Sequence, residues 1–245
     1  MKKHIPNAIT LLNLFCGCLA VIFAIENQLQ LAALFVVLGI VFDFFDGFAA
    51  RLLNVKSELG LQLDSLADMI TSGLVPGLVL FKLLEKATQK FPVNYESGFQ
   101  TINSENYSFV PLLGLLVTLA SCYRLANFNI DTRQTDSFIG LPTPANTLLI
   151  LSLPLILMSN DVEWINDLIL NKWFLIGLTL VSCYLLNAEL PLFSLKMKSF
   201  KFKENIIRYI FLGACILLLL TLHYIAIPVI ILFYIVLSIV TNAKK

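Results

Sequence analysis

Four aspartates lie within the 26 residues from Asp43 to Asp68 of this 245-residue chain, which read DFFDGFAARLLNVKSELGLQLDSLAD. Long apolar runs that predict membrane helices flank this stretch on both sides. A carboxylate at the centre of a membrane helix costs about 2.5–3.5 kcal/mol on insertion scales, so such residues are read as functional by default. Because four carboxylates so close together cannot all stay ionised alone, we expect a cation between them.

Their spacing predicts two helix faces that point toward each other. At about 100° per residue, the first helix carries four positions on a single face, namely Asp43, Asp46, Gly47 and Ala50. Asp64 and Asp68 are four residues apart and share a face of a second helix. If a turn at 52–60 joins the two helices, all four carboxylates face one another.

This set of ligands suits a divalent cation bound to a phosphate. Carboxylate and phosphate oxygens are favoured by Mg²⁺ and Mn²⁺, and four carboxylates can hold two ions that clamp a phosphoryl transfer. Gly47 and Ala50 lack bulk, so a pyrophosphate or nucleotide can approach the helix backbone. Arg51 follows at the water boundary, where its planar guanidinium can pair with a phosphate oxygen. Gly60 permits the turn that returns the chain to the membrane.

The composition is that of an integral membrane protein. Hydrophobic residues make up 58% of the chain, charged residues 13%, and the mean hydropathy is +0.84. A soluble domain carries about 25% charged residues, so this chain cannot cover its surface with polar groups. The net charge of +1 argues against nucleic-acid binding, for which a concentrated basic patch is expected. The five cysteines lie in apolar segments and indicate neither a disulfide framework nor a metal site.

Eight apolar segments predict an all-α fold, a polytopic bundle of about eight transmembrane helices. They cover residues 8–25, 29–48, 66–84, 108–126, 144–159, 172–188, 206–222 and 225–241. Pro154 is expected to interrupt the fifth segment, and a tight helical hairpin near His223 is expected to join the last two.

The basic residues predict the orientation of these helices. With the N-terminus in the cytoplasm, 13 of the 17 lysines and arginines lie on the cytoplasmic side, which is the bias found in membrane proteins. Both termini and the aspartate stretch then face the cytoplasm. The basic segment 195–203 is expected at the lipid headgroups, and the polar loop 86–107 on the opposite side of the membrane.

The aspartate stretch resembles the signature of a known family. The pattern Asp43-x2-Asp46-Gly47-x2-Ala50-Arg51-x8-Gly60-x3-Asp64-x3-Asp68 is similar at every position to that of the CDP-alcohol phosphotransferases. The resemblance implies an enzyme that displaces CMP from a CDP-linked lipid or alcohol with an acceptor hydroxyl.

The same resemblance implies a role for each position of the signature. The metal ligands would be Asp43, Asp46, Asp64 and Asp68, the same four carboxylates that suit two Mg²⁺ or Mn²⁺ ions by their chemistry. Asp68 would in addition be the catalytic base that deprotonates the acceptor. The positions that contact CDP would be Gly47, Ala50, Arg51 and Gly60.

Further stretches are similar to the membrane-integrated phosphatidylserine synthases of bacteria, a branch of that family. They read IPNAITLLN, LQLDSLADMITSGLVPG, YRLANFN and FIGLPTP. This resemblance covers residues 5 to about 146, the expected catalytic core of a single domain over 1–245 whose C-terminal spans cover about 172–241. It implies that the substrates are CDP-diacylglycerol and serine, and that the enzyme lies in the inner membrane of a bacterium with its active site facing the cytoplasm.

Four residues outside the signature are candidate substrate ligands. Arg124, at the cytoplasmic end of the fourth span, can pair with the carboxylate of serine, and Asn127 can hydrogen-bond to the same acceptor. A charge at a helix end in the headgroup layer explains Arg124 nearly as well. Asn7 and Thr10 can reach the nucleotide, although helix capping near Pro6 is a comparable explanation.

Several alternatives stay open at this point. Another acceptor of the same family, such as glycerol-3-phosphate or inositol phosphate, should require an additional basic cluster, for which only Lys56 and Arg133 are spare near the motif. An intramembrane prenyltransferase and a carboxylate-based cation transporter also bury aspartates. Membrane lipid is an expected partner, a homodimer is possible, and no nucleic-acid partner is expected.

Overall fold

The structure is a computed structural model that describes residues 4–55, 57–88, 108–131, 137–193 and 206–242. Lys56, Arg133, the basic segment 195–203 and all but the first residues of the loop 86–107 lie outside these ranges. The described residues form ten α-helices: α1 (His4–Ile25), α2 (Leu29–Leu52), α3 (Glu58–Asp68), α4 (Val75–Thr88), α5 (Leu116–Ile130), α6 (Thr143–Ser159), α7 (Glu163–Ile169), α8 (Lys172–Asn187), α9 (Ile206–Leu222) and α10 (Ala226–Asn242). The predicted helical bundle is therefore confirmed.

Shorter elements connect these helices. A π-helical turn, Met69–Leu74, joins α3 to α4 without a break, and 3₁₀ segments at Val110–Leu115 and His223–Ile225 precede α5 and α10. Two three-residue strands, β1 (Ser137–Ile139) and β2 (Pro191–Phe193), pair antiparallel and are the one departure from an all-α fold among the described residues.

Five stretches of the described chain are long and apolar enough to cross a membrane. They are His4–Ile25, Leu29–Leu52, Glu58–Thr88, Val110–Ile130 and Arg208–Thr241. The pair α7 and α8, bent by 58°, makes a sixth if it is taken as one broken span, and α6 is a shorter apolar helix. Each predicted apolar segment is thus helical, while the total of eight spans and the orientation stay predictions.

The last apolar stretch folds back on itself. The rings of Phe211 and Phe233 stack with their centroids 5.9 Å apart, and Phe211 also lies 5.8 Å from Tyr234. Residues 22 positions apart in one straight helix would be separated by roughly 33 Å. The reversal occurs at His223, whose φ of 48° ends α9, so α9 and α10 form the predicted helical hairpin.

Small and branched side chains build the core around α4. Leu80, Leu83 and Leu84 of α4 are fully buried, and α4 packs against α1, α6, α8 and the 3₁₀ segment before α5. Alanines of α1 and α2, including Ala20 and Ala32, are also fully buried. Such small residues allow two helix backbones to approach closely, which is how helices associate inside lipid.

Two local predictions are wrong. Pro154 does not interrupt the fifth segment, since α6 runs through it from Thr143 to Ser159. Pro154 removes one hydrogen bond of the helix, the one to the Ile150 carbonyl, and helices of a membrane bundle tolerate such a loss because neighbouring groups can satisfy the freed carbonyl.

The second correction concerns Gly60, which does not form the turn between α2 and α3. The chain reverses earlier, where Asn54 has a φ of 52°, and Ser57 then caps α3 by accepting a hydrogen bond from the Gly60 backbone N–H at 3.0 Å. Gly60 lies in the first helical turn, where a Cβ would sit 3.3 Å from Oδ1 of Asn7. The absence of a side chain at Gly60 therefore allows α1 to approach α3 closely, and the backbone there is ordinary helix.

Close packing of α4 against the segment before α5 predicts a test of the bundle. A Cβ added at Gly114 would lie 2.5 Å from the backbone nitrogen of Phe81, which cannot move aside. Gly114→Ala should therefore destabilise the bundle by about 1–3 kcal/mol, the usual effect of overpacking. A drop of several degrees in the thermal unfolding midpoint of the detergent-purified protein would report it.

Gly177→Ala is the matched control, because a Cβ there meets nothing within 4 Å. Both variants gain similar helix propensity, so only the clash separates them. Equal unfolding midpoints for the two variants would contradict the packing described for Gly114.

Candidate active site

Three of the four signature aspartates converge. Asp43 and Asp46 project from the C-terminal half of α2 and Asp64 from α3, and each offers a carboxylate oxygen within 4.8 Å of the other two. Asp46 is only 6% exposed. Helical spacing on each side of a tight reversal is what brings these three side chains together, as the sequence predicted.

Helix α1 supports this cluster with buried polar side chains. The Thr10 hydroxyl donates to Oδ2 of Asp46 at 2.5 Å and lies 3.1 Å from the Pro6 carbonyl. One turn later, the Asn13 amide donates to Oδ1 of Asp68 at 3.2 Å. Thr10 was predicted to reach the nucleotide, and the structure places its hydroxyl on a signature aspartate.

Asp68 lies beside the cluster of three instead of within it. Its Oδ1 accepts from Asn13, and its carboxylate is close enough to all three aspartates of the cluster and to Arg124 to interact with them electrostatically. The metal-ligand role predicted for Asp68 therefore stays a prediction. Asp68 therefore interacts both with the aspartate cluster and with the buried guanidinium of Arg124.

A cavity of about 870 Å³ opens in front of the three aspartates. All six residues that the sequence associated with CDP line it, namely Asn7, Thr10, Gly47, Ala50, Arg51 and Gly60. A Cβ at Gly47 would meet nothing within 4 Å, so this side of α2 is open to a ligand. Nε of Arg51 donates to the Gly47 carbonyl at 2.9 Å, which holds the exposed guanidinium at the cavity.

A second cavity, of about 370 Å³, contains both residues predicted to bind the acceptor. Arg124 is 7% exposed, and its Nε has no hydrogen-bond partner within the described ranges. Asn127, Asp131 and Glu189 line the same cavity. It therefore combines one guanidinium with carboxylates and an amide.

One aromatic residue lines both cavities. Phe128 belongs to the wall of the 870 Å³ cavity and to that of the 370 Å³ cavity, so the two cavities are neighbours at this residue. The neighbouring Asn129 exchanges hydrogen bonds with Ser65 at 2.9 and 3.1 Å, which ties α5 to α3 beside Asp64. Neither Phe128 nor Ser65 was predicted from the sequence to contribute to the site.

Two of the site's residues were missed and have a weak signal in the sequence. Asn13 follows Thr10 by one turn in an otherwise apolar helix, and such a polar pair could have been read as a site-facing stripe. Thr71, which bonds to Asn13, has no comparable signal, because isolated threonines are common in membrane helices.

The chemistry of the donor set fits a divalent cation. Three carboxylates within 4.8 Å repel one another strongly when ionised in a region of low dielectric. Oxygen ligands of this kind match Mg²⁺ or Mn²⁺ together with phosphate. The site can thus hold a divalent cation beside a cavity large enough for a nucleoside diphosphate.

Comparison with known proteins agrees with this geometry. A family model described as CDP-alcohol phosphatidyltransferase matches residues 3–185. The chain belongs to the CDP-alcohol phosphatidyltransferase family. The resemblance of residues 43–68 to the family signature is thereby confirmed, and the chain is an enzyme of this transferase family rather than a prenyltransferase or a cation transporter.

Individual relatives carry a more specific name. The chain is 34% identical over 146 residues to a CDP-diacylglycerol–serine O-phosphatidyltransferase of Bacillus subtilis, covering 58% of this chain and 70% of the relative. A Helicobacter pylori protein of the same name is 31% identical over 183 residues, covering 72% and 69%. A third, from Methanocaldococcus jannaschii, is 29% identical over 180 residues, covering 73% and 71%.

The cluster of three carboxylates predicts tight binding of a divalent cation. Asp43→Asn and Asp64→Asn should each lower the affinity of the purified protein for Mn²⁺ by about tenfold or more, since even indirect partners of metal ligands change affinity 10–100-fold. Electron paramagnetic resonance of free Mn²⁺ measures this directly. Asp161→Asn, at an exposed position outside the site, is the control, and an unchanged affinity in both site variants would contradict the assignment.

Proposed function

We propose that this enzyme transfers the phosphatidyl group of CDP-diacylglycerol to the hydroxyl of L-serine, producing phosphatidylserine and CMP. One observation carries the proposal: the aspartate cluster opens into a large cavity, and Phe128 of its wall also lines a second cavity that contains the buried Arg124. A transferase with two substrates needs this arrangement, because the acceptor hydroxyl must reach the phosphorus of the donor. The names of the relatives support serine as the acceptor.

The donor would occupy the larger cavity. Its pyrophosphate would lie along the open side of α2 at Gly47 and Ala50, with Arg51 pairing to a phosphate oxygen. Asn7 and Gly60 would contact the CDP moiety from the opposite wall. The acyl chains need a lateral opening to the lipid, which suits a site built at the ends of membrane helices.

The metal ligands of the proposal are Asp43, Asp46 and Asp64, with Asp68 beside them. We propose Mg²⁺ or Mn²⁺, and two ions, because the cluster faces a pyrophosphate. When bound, such ions neutralise charge that develops on the leaving CMP and orient the donor. Thr10 would hold Asp46 in its ligating orientation through the 2.5 Å hydrogen bond.

The acceptor would occupy the smaller cavity. Arg124 can form a bidentate pair with the serine carboxylate. Its Nε is available for this pair, because it has no hydrogen-bond partner within the described residues. Asn127 can accept from or donate to the same ligand. Asp131 and Glu189 also line this cavity.

Asp68 would carry out the proton transfer. It interacts electrostatically with Asp64 of the metal cluster and with Arg124 of the acceptor cavity. As general base it would take the proton of the serine hydroxyl while the hydroxyl oxygen bonds to the phosphorus that carries diacylglycerol. The bond from this phosphorus to the bridging oxygen breaks, and CMP leaves.

A phosphorylated acceptor fits the smaller cavity less well. Glycerol-3-phosphate or inositol phosphate would bring a dianion to a cavity in which Arg124 is the cation among the described lining residues. Serine instead presents a single carboxylate. One guanidinium therefore suits serine better than a phosphate ester.

Several broader features belong to the same proposal. The enzyme would lie in the inner membrane of a bacterium, with both termini and the active site facing the cytoplasm, where serine and CMP are soluble. The catalytic core would cover about 5–146 within one domain, with C-terminal spans at about 172–241 completing the bundle. Homodimer formation is compatible with this arrangement, and no nucleic-acid partner is expected.

An acceptor screen tests the reaction. Purified enzyme with Mn²⁺ and CDP-diacylglycerol should release CMP with L-serine and much less with glycerol-3-phosphate or inositol phosphate. Asp68→Asn should lower this rate by about 10²–10⁴-fold, the usual contribution of a general base, while CDP-diacylglycerol still binds. Asp167→Asn controls for loss of an exposed carboxylate; CMP release with another alcohol alone would refute serine as the acceptor.

The two cavities predict that two arginine variants raise the KM of different substrates. Arg124→Ala removes a charge-assisted pair worth about 1.5–3 kcal/mol, so the KM for serine should rise about 10–100-fold with little change in the KM for CDP-diacylglycerol. Arg51→Ala should raise the KM for CDP-diacylglycerol instead. Steady-state kinetics with each substrate varied in turn measures both, and equal rises in both constants for Arg124→Ala would contradict separate cavities.

A further inference from the structure

The π-helical turn after Asp68 is the most unusual backbone feature near the site. A π-helical turn is wider than an α-helical one, is rare, and is frequent at functional sites. Here it covers Met69–Leu74, directly after the proposed base, and Thr71, Ser72 and Gly73 within it are buried. A change of helical pitch at this point alters which residues face α1.

Neighbouring helices hold the carbonyl groups of this turn. The Thr147 hydroxyl of α6 donates to the Ser72 carbonyl at 2.8 Å, and the Thr118 hydroxyl of α5 donates to the Gly73 carbonyl at 3.1 Å. Both acceptors belong to the π turn. Two consecutive helices, α5 and α6, therefore stabilise the wide geometry.

The turn also brings Thr71 against α1. The Thr71 hydroxyl lies 2.8 Å from Oδ1 of Asn13, as well as 3.2 Å from the Ala67 carbonyl and 3.3 Å from the Asn13 carbonyl. Because Thr71 donates to the amide oxygen, the amide NH₂ group of Asn13 points away from it. That group donates to Oδ1 of Asp68 at 3.2 Å.

Glycines of α1 and α2 make room for this pair. A Cβ at Gly17 would lie 2.5 Å from the Thr71 hydroxyl, and a Cβ at Gly39 would lie 2.8 Å from Oδ1 of Asn13. The two side chains thus fill a space that two helix backbones leave open. The Thr71 and Asn13 side chains are therefore packed tightly against the backbones of α1 and α2.

We propose that Thr71 and Asn13 are positioning residues that fix the carboxylate of Asp68, with the π turn presenting Thr71 to Asn13. Asn13 occupies Oδ1, so Oδ2 is left to receive the proton of the acceptor hydroxyl. The inference rests on the proposed function, in which Asp68 is the base. It assigns to two uncharged residues an effect on the rate of the chemical step and not on donor binding.

Substitution at Thr71 tests the inference. Thr71→Val keeps the shape and removes the hydroxyl, so the Asn13 amide loses its orientation, and kcat should fall at least tenfold while the KM for CDP-diacylglycerol stays within twofold. Thr71→Ser keeps the hydroxyl and should retain kcat within threefold. Thr179→Val is the matched control, because Thr179 is equally buried and donates only within α8, to the Leu175 carbonyl at 2.8 Å.

A second variant and a structural readout complete the test. Asn13→Ala removes the amide itself and should lower kcat as Thr71→Val does, so loss of folding in one variant leaves the other to decide. Rates are measured with whichever acceptor the wild-type enzyme uses, so a wrong assignment of serine does not affect the result.

If wild-type enzyme released no CMP with any alcohol, the proposed function would fail, and crystal structures would still test the positioning. The Asp68 carboxylate should turn away from α1 in Thr71→Val and keep its orientation in Thr71→Ser. Full kcat in Thr71→Val, equal losses in the Val and Ser variants, or an unmoved carboxylate would overturn the inference.

Discussion

The repulsion among carboxylates in a region of low dielectric is the constraint on which this structure depends. Asp46 is almost fully buried, yet two further carboxylates approach within 4.8 Å. Such a cluster stays fully ionised only if a cation neutralises it and nearby donors satisfy its remaining oxygens. The donors come from α1, where Thr10 and Asn13 reach Asp46 and Asp68, so a helix outside the signature is part of the site.

The two cavities differ in the charged groups that line them. The larger one faces the aspartates and the open side of α2, which suits a pyrophosphate, whereas the smaller one surrounds a buried guanidinium. Phe128 lines both cavities, and the charges of Asp64 and Arg124 both act on Asp68. A donor and an acceptor can therefore bind to different sets of side chains without competing for ligands.

The sequence predicted the parts of this site that repeat along a helix and missed those that depend on contacts between distant segments. Asp43, Asp46 and Asp64 follow from helical spacing, and the long apolar runs follow from hydropathy. Gly60 was misassigned to the turn because composition does not tell a flexible glycine from one that makes room for Asn7. The bond between Thr71 and Asn13 joins residues 58 positions apart and depends on a π turn that leaves no periodic pattern.

The central claim is that the aspartates of α2 and α3 hold a metal that receives the donor pyrophosphate on the open side of α2. A crystal structure with Mn²⁺ and CDP-diacylglycerol tests it most directly, because anomalous difference maps from data collected near the manganese absorption edge locate the ions. We predict manganese peaks among Asp43, Asp46 and Asp64, with the pyrophosphate alongside Gly47. Manganese bound elsewhere, or a pyrophosphate in the cavity of Arg124, would contradict this account.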